Sequence, residues 1–189
     1  MTEELGRVVM AFDSASRRLH RLAGRLIPAQ AAERREPTRW SVAEHVAHLN
    51  LTSEAFVPLI ENALMEAGQI GGEAGHYRRD AIGWLVSSVV GPQMKIGGLR
   101  IGSVKTPPPF VPQSGRPFPE ILAEFDRLQS ALVSFVRSAA GLPIDQVYVE
   151  SLFNRRVRYN LYSTFIIIPR HQLRHIVHAE DLWPIAGKE

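Results

Sequence analysis

Four stretches of this chain place apolar residues at alternating steps of three and four. That spacing fits long amphipathic helices packed side by side and little else. In the first stretch, from about Glu3 to Leu26, the seam runs through Val8, Phe12, Ala15, Leu19, Leu22 and Leu26, and Pro28 is expected to close it. In the second, from about Val42 to Ala67, Val46, Leu49, Phe56, Ile60 and Ala63 share a face. Ser41 and Glu44 form an S-x-x-E capping box at its start, Trp40 is placed to act as a hydrophobic staple, and Gly68, Gly71 and Gly72 end it. The third runs from about Pro119 to Ala140 on Ile121, Phe125, Leu128, Leu132 and Phe135, with Gly141 and Pro143 as stop signals. The fourth runs from about Leu161 to Leu182 and stops at Trp183-Pro184. Pro169 lies inside it, which predicts a kink near Ile168 or a helix that begins there. A chain of 189 residues with four such segments is expected to form one domain, residues 1–189, with an all-α, four-helix-bundle architecture.

Two connections depart from a plain bundle. Residues 68–118 are rich in Gly and Pro, including Thr106-Pro107-Pro108-Pro109, and are too long for a simple helix–helix loop. Asp80 to Val90 is expected to form a short helix inside this link, and Trp84 and Phe110 are candidates either to cover a site or to pack the link down. Residues 144–158 contain Gln146-Val147-Tyr148-Val149-Glu150, which alternates like a short strand.

Composition narrows the chemistry. The chain has no Cys, so disulfides, thiolate metal sites and cysteine nucleophiles are excluded, and a metal would need His, Asp, Glu or backbone oxygen. Nineteen of the 22 basic residues are Arg, within a net charge of +3. Arg17, Arg18, Arg21 and Arg25 cluster, but Arg17, Arg21 and Arg25 stand at helical spacing, as on a solvated helix face. No nucleic-acid motif accompanies them, so nucleic acid is not expected as a partner. The acidic start Met1-Thr2-Glu3-Glu4 lacks a signal-peptide pattern and no apolar run approaches a membrane span, so the expected location is cytoplasmic with no membrane partner. G-x-S-x-G, Walker and dinucleotide motifs are absent.

The histidines carry the functional signal. Of seven, His171, His175 and His178 continue the seam of the fourth segment between Ile168 and Leu182. At about 100° per residue they fall within roughly 60° on the helical wheel. A buried polar group without a partner costs about 1–3 kcal/mol, so three in one seam need a reason. A divalent metal supplies one: His171 and His175 form H-x-x-x-H, a two-ligand clamp, and a third ligand would come from the facing second segment, from His48 or from His45 one turn earlier. The plain alternative is a set of core histidines satisfied by hydrogen bonds.

Trp40-Ser41-Val42-Ala43-Glu44-His45-Val46-Ala47-His48-Leu49 resembles the first motif of the DinB/YfiT-like superfamily, W-S-x-x-E-h-x-x-H-l. Ile168-Pro169-Arg170-His171-Gln172-Leu173-Arg174-His175-Ile176 resembles its last, where H-x-x-x-H closes the site. The Pro-rich middle, the third helix and the Gly141-Leu142-Pro143 break resemble this family as well, so the likeness covers nearly the whole chain. The resemblance implies a four-helix bundle with a long Pro/Gly-rich connection between its second and third helices. It also implies one divalent ion, nickel or zinc, held by His48, His171 and His175. Characterised members include thiol-dependent transferases and metal-dependent hydrolases. Relatives often carry Gln three residues after the second His of H-x-x-x-H, where this chain has His178.

The expected function is therefore that of a metal-dependent hydrolase or thiol-dependent transferase, the alternative being a metal-containing or small-molecule-binding protein without turnover. The expected partner is a small-molecule substrate, with a low-molecular-weight thiol as a candidate, and a homodimer is compatible with the sequence. Three neutral imidazoles leave an open coordination position for water or substrate. Glu44 is expected to be occupied by the helix cap and Glu54 to be solvated. His178 is the expected catalytic residue, as a general base or a hydrogen-bonding group beside the metal, the alternative being a core His satisfied by a backbone or side-chain partner.

Overall fold

A computed structural model of the chain describes residues 1–72, 76–92, 95–96, 99–100 and 106–183. Among these, α1 spans Glu3–Ala23, α2 Pro28–Ala32, α3 Val42–Ile70, α4 Ala81–Val90, α5 Phe118–Ser138 and α6 Leu161–Leu182. Two antiparallel strand pairs, β1 (Lys95–Ile96) with β2 (Leu99–Arg100) and β3 (Tyr148–Glu150) with β4 (Arg158–Asn160), and a 3-10 turn at Pro108–Phe110 complete the order. The chain is mostly helical, as expected, and α1, α3, α5 and α6 carry the four seams.

The ends of these helices follow local chemistry. Thr2, Ser41, Asp80 and Asn160 cap the N-termini of α1, α3, α4 and α6 with side-chain oxygens, each accepting from the amide three residues on. The box at α3 is reciprocal: the Ser41 hydroxyl accepts from the Glu44 amide, and the Ser41 amide donates to the Glu44 carboxylate at 2.8 Å. α3 runs through Gly68 to Ile70 and is capped by Gly71, whose φ of 68° is the left-handed conformation that glycine adopts without steric cost.

Two expectations need correction. α1 ends at Ala23, short of Leu26, and Pro28 opens the short helix α2 as its first residue. In α5 the buried position near the C-terminus is taken by Val136, while Phe135 is only partly buried. α6 spans Leu161–Leu182, the range expected, so of the two alternatives at Pro169 a helix that begins there is ruled out. A proline inside a helix forfeits a backbone hydrogen bond. Here burial of Phe165, Ile167 and Ile168 before it, and of His171, Gln172 and Ile176 after it, offsets that loss. Pro58 inside α3 is a second such case that the seam pattern did not flag. Pro184 lies outside the described residues.

The core forms two apolar clusters stacked along the helices. One joins Leu5, Val8 and Phe12 of α1 to Phe56 and Ile60 of α3, Leu132 and Val136 of α5, and Phe165 and Ile168 of α6. The other joins Leu19 and Leu22 of α1 to Val46 and Leu49 of α3, Ile121 and Phe125 of α5, and Ile176 and Leu182 of α6. Chain direction follows from this order. α1 and α6 run from the first cluster to the second, α3 and α5 from the second to the first. Because α3 and α5 are parallel, the chain must return the length of a helix between them, which is the physical reason for the long link. α4 lies in that link and packs on α6. Asp80 and Ser163 share a hydrogen bond of 2.8 Å there, and a Cβ on Gly83 would stand 2.1 Å from the Ser163 hydroxyl.

Candidate metal centre

Between the two apolar clusters lies a polar layer. On α3 it holds His48, Asn50, Thr52 and Ser53, on α5 Gln129, and on α6 His171 and Gln172, all buried. Gln129 and Gln172 bond reciprocally, amide to carbonyl, at 3.1 and 2.7 Å, and Gln129 also donates to the Phe12 carbonyl. The glutamines satisfy one side of the layer internally. The imidazoles occupy the other.

His48 and His171 are 1% and 9% exposed, and His175, one turn further along α6, is partly buried. One ligand atom from each of these three lies within 4.8 Å of the other two. The His48 Nδ1–H donates to the Phe110 carbonyl at 2.7 Å, so its Nε2 is a bare acceptor turned toward the His171 Nε2, 3.4 Å away. That separation is long for an N–H···N hydrogen bond. It matches two nitrogens on one tetrahedral ion, which stand about 3.3–3.4 Å apart at metal–nitrogen lengths of about 2.0–2.1 Å. The donor set fits a divalent metal on a second count as well: a partner on the far ring nitrogen is how metal-binding imidazoles are usually oriented.

Electrostatics favours the neutral, ligating form. Burial pushes the His171 pKa down to about 3, and His48 and Arg174 push the same way. Burial also holds His175 well below its ordinary value, with His171, His48, His45 and His178 adding to it. His48 is lowered by burial, against the opposing hydrogen bond to Phe110. Nearby acid does not compensate. Burial disfavours the Glu44 carboxylate, but hydrogen bonds from Arg34 and from the Ser41 amide outweigh it and keep Glu44 ionised and engaged. Glu54 is exposed.

Other expected residues fall around this centre. Trp40 does occupy the staple position, but its partner at the fourth helical residue is His45, ring centroids 5.5 Å apart, and it also lies 5.0 Å from His48 and 6.0 Å from His175. His45 is buried, and its Nδ1 stands 3.1 Å from the His175 Nδ1. His178 is partly buried, 5.9 Å by ring centroid from both His45 and His175, and outside the three-nitrogen group. Phe110 packs down at the centre, as its carbonyl contact shows, with its ring 6.0 Å from Phe153, while Trp84 is 57% exposed on α4. His20 and His76 are remote and exposed, bonded to Asp126 and Glu4. Arg17, Arg21 and Arg25 are exposed, and Arg18 bonds Glu180 through two nitrogens.

Sequence reasoning missed three contributors. The Phe110 carbonyl is a backbone group brought in by the 3-10 turn Pro108–Phe110, for which the sequence carries no signal. Phe153, 5.9 Å from His171, arrives on the β3–β4 turn. Arg174, 9% exposed, donates to the Val89 carbonyl at the end of α4, as Arg170 does to the Ser87 carbonyl. Its position one residue before His175 could have marked it.

These features define a class: a helical protein with a buried three-imidazole group between two helices. A family model for the DinB superfamily matches residues 11–179, and the chain belongs to that superfamily. No curated protein and no solved structure matches it.

Proposed function

We propose that this chain is a metal-dependent enzyme, a hydrolase or a transferase that activates a thiol. Its site would be one divalent ion, nickel or zinc, on His48, His171 and His175. The reading takes the chain as a single domain over residues 1–189, a four-helix bundle of DinB/YfiT type, cytoplasmic, acting on a small molecule such as a low-molecular-weight thiol, and compatible with a homodimer. One observation carries it: three neutral imidazole nitrogens within 4.8 Å of one another, drawn from two facing helices, with no carboxylate in the group.

A divalent ion so held supplies Lewis acidity and lowers the pKa of a water or thiol bound beside it. The chain's own residues do the rest. His48 is oriented by the Phe110 carbonyl, and the Trp40 and Phe153 rings lie against His48 and His171. His178, half-buried one turn beyond His175, is the catalytic residue of this reading. It accepts or returns the proton of the attacking water or thiol.

Cobalt-substituted protein tests the reading. Adding 2-mercaptoethanol should produce a thiolate-to-cobalt absorption band, and a screen of esters and thiol acceptors should show turnover above the metal-stripped protein. A cobalt spectrum indifferent to thiol, azide and carboxylates, with no turnover, would leave a metal-binding protein without catalysis.

A further inference from the structure

His45 sits one turn before His48 on α3 and is 7% exposed. Across the helix interface its Nδ1 stands 3.1 Å from the His175 Nδ1. Within one cluster the two nitrogen pairs differ in length. The His45–His175 pair, at 3.1 Å, lies within the usual range for an N–H···N bond, whereas the His48–His171 pair, at 3.4 Å, lies beyond it. His45 is also absent from the group of nitrogens that lie within 4.8 Å of one another. A hydrogen bond between two Nδ1 atoms needs one proton, and either ring can hold it. His48 has no such choice, since its partner is a carbonyl that only accepts.

The geometry points to His45 as a positioning residue for the metal centre: it accepts a hydrogen bond at Nδ1 from the His175 Nδ1–H and so presents His175 to the ion through Nε2. This rests on the metal reading above. With Nδ1 turned to His45, His175 has only Nε2 left for an ion, and a neutral imidazole whose Nε2 is bare carries its proton on Nδ1. His45 must then be bare at Nδ1 and protonated at Nε2. Trp40 holds the His45 ring edge-on, at 69° between ring planes, and keeps Nδ1 aimed across the interface. His48 and His175 then share one device, an acceptor behind the ring, supplied by a loop carbonyl in one case and by His45 in the other.

The test uses zinc and a competing chelator on the full chain, with His45→Leu, His45→Asn and wild type. The Asn side-chain oxygen stands about where the imidazole Nδ1 does and accepts a hydrogen bond, whereas Leu cannot. Loss of the outer partner of a metal-binding His weakens affinity about tenfold to a hundredfold. His45→Leu should show a loss of that size, and His45→Asn should recover most of it. If His45→Leu binds zinc like wild type, the inference is wrong. If His45→Asn loses zinc as completely as His48→Ala does, His45 is itself a ligand and the inference is again wrong, though the metal reading stands. Nitrogen-15 NMR of zinc-loaded wild type gives an answer even if the Leu variant does not fold. It should show a proton on the His175 Nδ1 and none on the His45 Nδ1, and the reverse pattern overturns the assignment. Wild type that takes up no zinc overturns the metal reading and this one together.

Discussion

His48 of α3 and His171 of α6 face each other with their Nε2 atoms 3.4 Å apart, in a polar layer that separates two apolar clusters. Removing either nitrogen should cripple metal binding. His48→Ala, His171→Ala and His175→Ala should each lower zinc or nickel affinity by orders of magnitude in a chelator competition. His20→Ala and His76→Ala should leave it unchanged, because those rings bond Asp126 and Glu4 on the surface. Retained binding in His48→Ala with loss in His45→Ala would shift the ligand set by one helical turn.

The half-buried His178 is expected to act on substrate and not on the ion. His178→Gln installs the residue common at this place in the resembling family. Metal content should stay at the wild-type value while the rate or the pH profile of any turnover shifts. Loss of the ion in this variant would make His178 a ligand.

The metal-free protein should be destabilised by mild acid. Burial lowers the pKa of His45 and His171 to about 3 and that of His175 well below its ordinary value, whereas the unfolded chain takes up protons near 6.5. Between those limits the unfolded state binds more protons than the folded state, so stability falls as pH drops from 6.5 toward 3. Urea denaturation at pH 7.5 and 5.5, where most carboxylates stay ionised, should show the loss. His45→Leu should show less of it, since one of the refusing rings is gone. Equal stability at both pH values contradicts this.

How much of this was legible depends on range. The seams of α1, α3, α5 and α6 and the H-x-x-x-H spacing are local patterns, so both could be read directly. Ser41 and Glu44 announced the start of α3 for the same reason. Pro169 left a later helix start open because propensity is local, while the burial that carries α6 past it is not. The Phe110 carbonyl stayed hidden because a backbone acceptor has no residue type, and it reaches His48 only through the path of the long link. That path follows from α3 and α5 being parallel, which periodicity alone does not encode.

Docking of α4 should depend on Gly83. A Cβ there meets the Ser163 hydroxyl at 2.1 Å and the Asp80 carboxylate at 2.7 Å. Gly83→Ala should cost about 1–3 kcal/mol, the usual range for an overpacked contact. Chemical denaturation measures it, and hydrogen exchange should show the added opening confined to α4 and the start of α6. A variant as stable as wild type would mean that α4 is not held against Ser163.

The central claim is that one divalent ion sits on His48, His171 and His175, and elemental analysis tests it most directly. Protein prepared without an immobilised-metal step, or stripped and then titrated with zinc, should hold about one ion per chain, the stoichiometry of a single three-histidine site. The His171→Ala protein should hold close to none. Wild type that carries no ion and takes up neither zinc nor nickel on titration would contradict the account.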